Sequence, residues 1–310
     1  MAGALDIQRR IKSIKNTKKV TKAMEIVSAA KMKKAIRQVM ELRPYAVAMH
    51  ALLQSVAPNV SSTHPLLAKR EVKKVLLLVI ASNKGLCGGF NAHIAKAVNK
   101  AVEQLATEGI SKEQFTTITV GRKADGMMKR MGIDPIATFP ELNYSPDSVA
   151  CQPVVKMVTD GYTTEDYDRV MLVYTDFISP ITQEQKVRQV LPVSVIDLQE
   201  QLGEMTESGK DANITQSSTK ASTKSLEYVV EPSNEEAITA LMPRVLESQI
   251  LHALYESNAS KESSRMMAMN SATEAAGEIV DDLTLAYNKM RQAKITQEIS
   301  EISAGRAALE

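Results

Sequence analysis

Residues 269–293, MNSATEAAGEIVDDLTLAYNKMRQA, carry the clearest structural pattern in this chain of 310 residues. Its apolar and small residues recur at spacings that alternate between three and four positions, a repeat typical of the seam of a left-handed coiled coil. The seam positions are Met269, Ala272, Ala276, Ile279, Leu283, Ala286, Met290 and Ala293. No proline follows Pro243, so this end of the chain is predicted to form a helix of roughly 65 residues.

A second long helix is expected at the other end. Residues 4–43 contain neither glycine nor proline, and Pro44 can kink a helix without ending it, so the helix is predicted to continue to residue 57. A seam with the same spacing starts at Ile7 and resumes at Met32. The polar residues that interrupt it are Lys18, Thr21, Glu25 and Ser28. Two long helices from opposite chain ends most simply pair antiparallel.

The middle of the chain has a different pattern of apolar and polar residues. The apolar run VLLLVIA at residues 75–81 is typical of a buried parallel strand, and it is followed by segments that favour helix and strand in turn. The expected helices are 91–107 and 123–131, and the expected further strands are 115–120 and 170–175, with 187–191 as a candidate edge strand. Alternating strands and helices indicate a Rossmann-like α/β domain.

The predicted fold class is therefore α/β, with a long antiparallel coiled coil of the N- and C-terminal helices and a central Rossmann-like α/β domain. A polar stretch rich in Ser, Thr, Lys and Glu at residues 199–224 has little to bury and favours a flexible loop. The expected parts are a coiled-coil helix at 1–58, the α/β domain at 72–197, the loop at 198–226 and the second coiled-coil helix at 235–310.

The chemistry-bearing residues do not form a convincing catalytic or metal site. Two cysteines cannot make a disulfide framework, the four histidines are scattered, and no spacing matches a metal motif. We therefore expect no cofactor, no metal and no catalytic residue. The longest apolar run is too short to cross a bilayer, so no direct membrane insertion is expected.

The glycine-rich sequence GLCGG at residues 85–89 follows the first strand and precedes a helix. A phosphate-binding loop would lie at this point, but the sequence lacks both the G-x-G-x-x-G spacing and the terminal Gly-Lys-Ser/Thr of a P-loop. If this loop were catalytic, Cys87 would be the candidate nucleophile and His93 the candidate base. A tight strand-to-helix turn with a packed cysteine is the favoured interpretation, and an enzyme with a nucleotide at this loop is the competing one.

The first 43 residues carry twelve Lys or Arg against three acidic residues, although the formal net charge of the whole chain is only +2. Such a helix can be a solvated face, or it can bind nucleic acid, anionic lipid or an acidic protein. Residues 1–43 contain no aromatic side chain, which disfavours sequence-selective binding of nucleic acid. A basic coiled-coil nucleic-acid-binding protein remains the alternative function.

Several short motifs occur in order along nearly the whole chain. At the start these are MAG (1–3), NT (16–17), TKAME (21–25) and IVSAAKM (26–32). At the end these are AM (268–269), YNK (287–289), RQA (291–293) and ITQEI (295–299), with GLCGG and Asn91 between. In these motifs the chain closely resembles the gamma subunits of bacterial F-type ATP synthases.

The resemblance implies a non-catalytic rotor subunit that transmits torque between a proton-driven c-ring and a catalytic ring of three alpha and three beta subunits. It implies a peripheral location on the cytoplasmic face of the bacterial inner membrane, with the epsilon subunit as a further partner. It also implies contacts with acidic tips of the beta subunits, for which the candidates are Lys18, Lys22, Met24, Lys31, Lys33 and Lys34.

At the other end, the resemblance implies contacts with loops of the alpha and beta subunits, made by Arg291, Gln292, Thr296 and Glu298. Tyr228 and Glu231 are expected on the side of the c-ring and epsilon. The chain departs from the family at Ser303 and Arg306, where aliphatic and small residues are usual. A cation in an apolar bearing is costly, so Arg306 is expected to reach solvent or a carboxylate.

The polar loop is longer than in many relatives, and two interpretations stand side by side: a regulatory loop that hinders rotation in one direction, or an idle surface insertion. The candidate regulatory residues are Gly203, Lys210, Lys220 and Lys224.

Deletion of residues 204–222 separates the two interpretations of the loop. A regulatory loop predicts that the deletion changes the ratio of ATP hydrolysis to ATP synthesis in the reconstituted complex, because a one-way obstacle is removed. Unchanged rates in both directions would eliminate regulation and leave the idle insertion.

Overall fold

A computed structural model describes residues 2–56, 66, 70–139, 151–193 and 234–307. The chain forms two compact units: residues 1–30 with 265–310, and residues 31–264. Two long helices, α1 (Ala2–Val56) and α5 (Asn234–Ala307), contribute to both. The predicted polar loop lies outside the described residues.

In the first unit, α1 and α5 run antiparallel. The hydroxyl oxygens of Thr21 and Thr273 are 2.7 Å apart. Four residues further along α5, a methyl group on Gly277 would come within 2.9 Å of the Lys18 ammonium nitrogen, three residues back along α1. The predicted antiparallel pairing of the two chain ends is confirmed.

The seam of α5 follows a register one residue away from part of the prediction. Met269 and Ala276 are buried as predicted, but Ile279 is 44% exposed whereas Val280 is 8% exposed. Successive residues of a helix point about 100° apart, so only one of these two neighbours can face α1. The prediction for Ile279 is wrong, because the half-buried Thr273 starts a seam that continues through Ala276 to Val280.

The same shift appears further along α5. Ala286 is exposed, whereas its neighbour Tyr287 is half-buried. Met290 and Ala293, which the prediction also placed in the seam, are exposed within this unit. The predicted spacing of the seam is therefore correct. The residues assigned to it are wrong from Ile279 onward, except for Leu283, which is half-buried.

Proline occurs inside both long helices. Pro44 lies within α1, which continues to Val56, so the prediction that this proline does not end the helix is confirmed. Helix α5 begins at Asn234, nine residues before Pro243. A proline removes one backbone hydrogen bond, and a long helix with many side-chain contacts tolerates that loss.

The second unit contains a five-stranded sheet with the order β3-β2-β1-β4-β5. The first four strands are mutually parallel and β5 is antiparallel to β4. In chain order the elements are β1 (Val75–Ile80), α2 (Phe90–Thr107), β2 (Phe115–Val120), α3 (Arg122–Arg130), β3 (Pro135–Phe139), α4 (Gln152–Thr163), β4 (Arg169–Phe177) and β5 (Gln183–Leu191). The predicted Rossmann-like α/β domain is confirmed, including the edge strand.

Strand β1 is buried on both faces because helices cover the sheet on each side. Leu76, Leu78 and Ile80 belong to one core with residues of α1, α4 and α5. Val75, Leu77 and Val79 belong to a second core with residues of α2 and α3. This three-layer arrangement explains why the sequence of β1 is uniformly apolar rather than alternating.

Two elements were not predicted, β3 and α4. β3 is a short edge strand that begins at Pro135 and alternates between half-buried and exposed residues, so it lacks an apolar run. α4 carries Gly161 near its end, and glycine lowers helix propensity, whereas Pro153 in its first turn is compatible with a helix start. Gly161 is needed there because a methyl group would come within 2.5 Å of the Tyr167 hydroxyl.

Gly121 joins β2 to α3 with a φ of +99°, and a Cβ atom there would overlap the carbonyl oxygen of Ala81. We expect Gly121→Ala to lower the free energy of unfolding by about 3 kcal/mol or more, through backbone strain and steric overlap. Urea unfolding would measure the loss.

Gly126→Ala is the matched control, because Gly126 lies inside α3 and no atom of the part of the chain that the structure describes lies within 4 Å of the added methyl group. Alanine in a helix interior gains about 1 kcal/mol over glycine. Equal effects of the two substitutions would contradict the strain at Gly121.

Candidate functional site

The glycine-rich loop between β1 and α2 is held by its own side chains. The amide nitrogen of Asn91 donates to the Cys87 sulfur at 3.1 Å, and the Ser82 hydroxyl lies 2.9 Å from the Asn91 carbonyl oxygen. Leu86 and Gly88 both adopt positive φ, at 61° and 53°. The arrangement is that of a tight turn that packs a buried cysteine, as the sequence favours.

The second cysteine, Cys151, precedes α4 and is also buried. Burial, and secondarily the negative charge of Glu247, raises the pKa of the Cys151 thiol to about 12. A thiol with this pKa is protonated at neutral pH and is therefore a poor nucleophile.

The paired helices of the first unit offer a different kind of site. Their contact is polar where the predicted seam is interrupted: Thr21 bonds Thr273, and Lys18 lies against Gly277. Ser28, in the same interrupted stretch, is buried. Glu25 accepts a hydrogen bond from Lys22 at 2.8 Å through one oxygen. Its other oxygen is buried and has no hydrogen-bond partner among the described residues.

A groove with a basic rim runs between the helices in this unit. It is lined by four lysines of α1, Lys15, Lys18, Lys19 and Lys22, and by apolar and polar residues that include Ile26, Thr273, Glu274 and Val280. Lysine side chains combine an apolar stem with a cationic head, so this surface suits an acidic partner that also offers apolar contact.

The last turns of α5 carry the residues that the resemblance assigns to the alpha and beta loops. Arg291, Gln292, Thr296 and Glu298 are all exposed. Glu298 lies 3.5 Å from the Lys294 ammonium, one turn away on the same helix. Ile295, Ile299 and Ile302 are also exposed, which gives this end of the helix a mixed polar and apolar surface. Arg306 is also exposed.

The structure brings some of the predicted contact residues together and not others. Lys18 and Lys22 line the same groove, and Met24 is half-buried nearby in sequence. Lys31, Lys33 and Lys34 are exposed on the part of α1 that belongs to the second unit. Six predicted residues lie outside the described part of the chain: Gly203, Lys210, Lys220, Lys224, Tyr228 and Glu231.

The sequence did not reveal which residues of α5 contact the polar interruption in α1. Thr273 and Gly277 stand opposite Thr21 and Lys18, and both lie between the predicted seam positions. An antiparallel alignment of the polar interruption in α1 with the only glycine inside residues 244–304 of α5 would have indicated this register. None of the described helices has an apolar stretch long enough to cross a membrane.

Comparison with known proteins gives a consistent result. A family model described as ATP synthase matches residues 4–309. The ATP synthase gamma chain of Heliobacterium modesticaldum is 39% identical over 310 residues, covering 100% of both chains. That of Trichlorobacter lovleyi is 37% identical over 306 residues, covering 98% of each.

Solved structures agree with these relatives. A chain from the central stalk and c-ring of Tetrahymena thermophila mitochondrial ATP synthase has a TM-score of 0.56 at 26% identity, covering 82% of this chain and 99% of that one. A chain from Euglena gracilis mitochondrial ATP synthase has a TM-score of 0.64 at 17% identity, covering 99% and 94%, and this similarity concerns the fold. By sequence over its whole length and by fold, this chain belongs to the family of ATP synthase gamma chains.

Proposed function

We propose that this chain is the central-stalk rotor subunit of a bacterial F1Fo ATP synthase. It transmits torque between a proton-driven c-ring and a catalytic hexamer of three alpha and three beta subunits. The observation that carries the proposal is that the two ends of a gamma-family chain pair as antiparallel helices, joined in the register of Thr21 with Thr273. The epsilon subunit is a further partner.

A two-helix shaft suits torque transmission. A single isolated helix frays and bends, whereas two helices that interdigitate share a twisting load through side-chain contacts along their seam. In the first unit the buried residues Met269, Ala276 and Val280 supply such contacts on α5. The polar pair Thr21 and Thr273 fixes the register between the helices.

Six residues of α1 are proposed to face the acidic tips of the beta subunits: Lys18, Lys22, Met24, Lys31, Lys33 and Lys34. The support is that the five lysines are exposed and belong to the basic segment of the chain. Exposed ion pairs contribute little each, about 0.2–1 kcal/mol. Weak pairs suit a rotor because they must break and form again at every step.

Arg291, Gln292, Thr296 and Glu298 are proposed to contact loops of the alpha and beta subunits, supported by their exposure near the end of α5. Tyr228 and Glu231 are proposed to face the c-ring and epsilon. The chain itself is proposed to carry no catalytic group, because the residues of its glycine-rich loop bond one another. The complex is proposed to lie on the cytoplasmic face of the inner membrane.

Rotation is the direct test of the proposed function. A bead attached through Glu113→Cys, an exposed position of the α/β domain, is expected to turn stepwise in one direction when the chain is assembled with alpha and beta subunits and supplied with ATP. A folded chain that never assembles with that ring would contradict the proposal and favour the basic coiled coil as a nucleic-acid-binding module.

Charge reversal tests the proposed contact with the beta subunits. Lys33→Glu with Lys34→Glu is expected to lower ATP-driven rotation rates about two- to tenfold at low salt, since two attractive surface pairs become repulsive. The difference should shrink as salt screens the charges.

Lys100→Glu with Lys112→Glu is the matched control, because both lysines are exposed on the α/β domain and the chain acquires the same charge. An equal loss in both double variants would indicate a general effect of net charge and would argue against the assigned contact.

A further inference from the structure

The contact between α5 and the sheet changes character along the helix. From Met242 to Tyr255, residues of α5 share one hydrophobic core with strands β1, β4 and β5. From Glu256 onward, the helix meets the hairpin formed by β4 and β5 through polar side chains. Among the described residues, Glu256, Ser260, Ser263 and Ser264 make such contacts, and together we call these four the ladder.

Each ladder residue bonds a defined atom of the hairpin. The backbone N–H of Phe177 donates to Glu256 Oε2 at 2.9 Å, and the Ser260 hydroxyl lies 3.4 Å from the Thr175 carbonyl oxygen. The Ser263 hydroxyl donates to the carbonyl oxygen of Pro180 at 2.7 Å. The Ser264 hydroxyl donates to the side-chain oxygen of Gln183 at 2.6 Å.

The spacing of the ladder follows the helix. Residues 256, 260 and 263 or 264 lie on one face, because each step of three or four residues is about one turn. Hydroxyl groups inside helices commonly bond the carbonyl four residues back, as Thr273 and Thr284 do in the same helix. The hydroxyl groups of Ser260, Ser263 and Ser264 instead donate to the hairpin. Each hydroxyl has one proton, so it does not also donate to a carbonyl of its own helix.

Glu256 is 8% exposed, and a buried carboxylate is costly unless it is hydrogen-bonded. One of its oxygens accepts the Phe177 N–H, and the other lies 3.5 Å from His252 Nε2, one turn earlier on the helix. The carboxylate is thereby fixed on the helix side and on the sheet side.

The hairpin that receives the ladder is itself well ordered by hydrogen bonds. The Ser179 hydroxyl oxygen accepts from the backbone N–H of Thr182 at 3.0 Å, and the side-chain amide of Gln183 donates to Pro180 O at 3.1 Å. Across the strands, Lys186 pairs with Asp176 at 2.7 Å. The turn and both strands are therefore linked to one another by side-chain bonds at the end of the hairpin that meets the ladder.

We propose that the ladder is the torsional attachment of the α/β domain to helix α5, an inference that rests on the proposed function as a rotor. The core that α5 shares with the sheet resists sliding through close packing, and its last member on α5 is Tyr255. From Glu256 onward the ladder adds directional bonds to the hairpin. Hydrogen bonds depend on angle and distance and oppose sliding. Glu256, Ser260, Ser263 and Ser264 are thus positioning residues for torque transfer.

The test measures the angular variance of a bead during pauses of the assembled complex at low ATP. With the bead on Glu113→Cys in the α/β domain, two variants, Glu256→Ala and the triple variant Ser260→Ala, Ser263→Ala, Ser264→Ala, are expected to raise that variance about twofold or more, because directional bonds are lost. The native cysteines are buried, so the introduced thiol is labelled selectively.

Three controls isolate the ladder. Glu256→Gln keeps an acceptor oxygen for Phe177 and is expected to restore most of the stiffness. Ser257→Ala removes a buried hydroxyl of the same helix that is not part of the ladder. A bead on Ala240→Cys, exposed on α5 itself, bypasses the ladder and should show no change in variance.

The outcomes separate the two proposals. If the wild-type complex does not rotate, the proposed rotor function fails. If the wild type rotates and the Glu113 bead shows the same variance in the ladder variants as in Ser257→Ala, the ladder is not a torsional attachment. The triple serine variant removes no charge, so it keeps the test decisive even where Glu256→Ala impairs folding.

Discussion

One hydrophobic core joins one face of the sheet to both long helices, and the rest of the second unit depends on it. Leu76 and Leu78 of β1 share this core with Val39 of α1 and with Leu246 and Ile250 of α5. The helices cannot be removed without exposing a face of the sheet, and the sheet cannot form its buried parallel strands without them. Within this unit the sheet and both helices are therefore packed directly against one another.

The sequence was sufficient for the elements whose signals are long or uniform. The apolar run at β1 predicted a strand, because a strand that is buried on both faces is apolar throughout. The proline-free stretches at both ends predicted helices, because their apolar residues recur with a helical spacing. The failures are local. Ile279 and Val280 are adjacent apolar residues, and only the partner helix decides which of them faces inward. β3 is an edge strand whose alternation of half-buried and exposed residues is too short to be recognised from the sequence.

The candidate site was predicted less fully than the fold, for a physical reason. The exposed lysines and the closing residues of α5 were identified through family motifs, whereas the contacts inside the shaft are pairs between distant parts of the chain. Thr21 with Thr273, and Lys18 with Gly277, have no signal in either segment alone. Polar groups at such positions reduce the burial of apolar surface but specify the register of the two helices. The polar interruption of the seam therefore contributes to the alignment of α1 with α5.

The same pairing sets an order of events during synthesis. Thr21 and Thr273 are 252 positions apart, and a ribosome adds about 5–20 residues per second. The first helix therefore leaves the ribosome roughly 12 to 50 seconds before its partner exists. Over that time its apolar stripe is open to water and to other nascent chains. The excess of Lys and Arg in the first 43 residues gives each such segment a net positive charge, and segments of like charge repel one another.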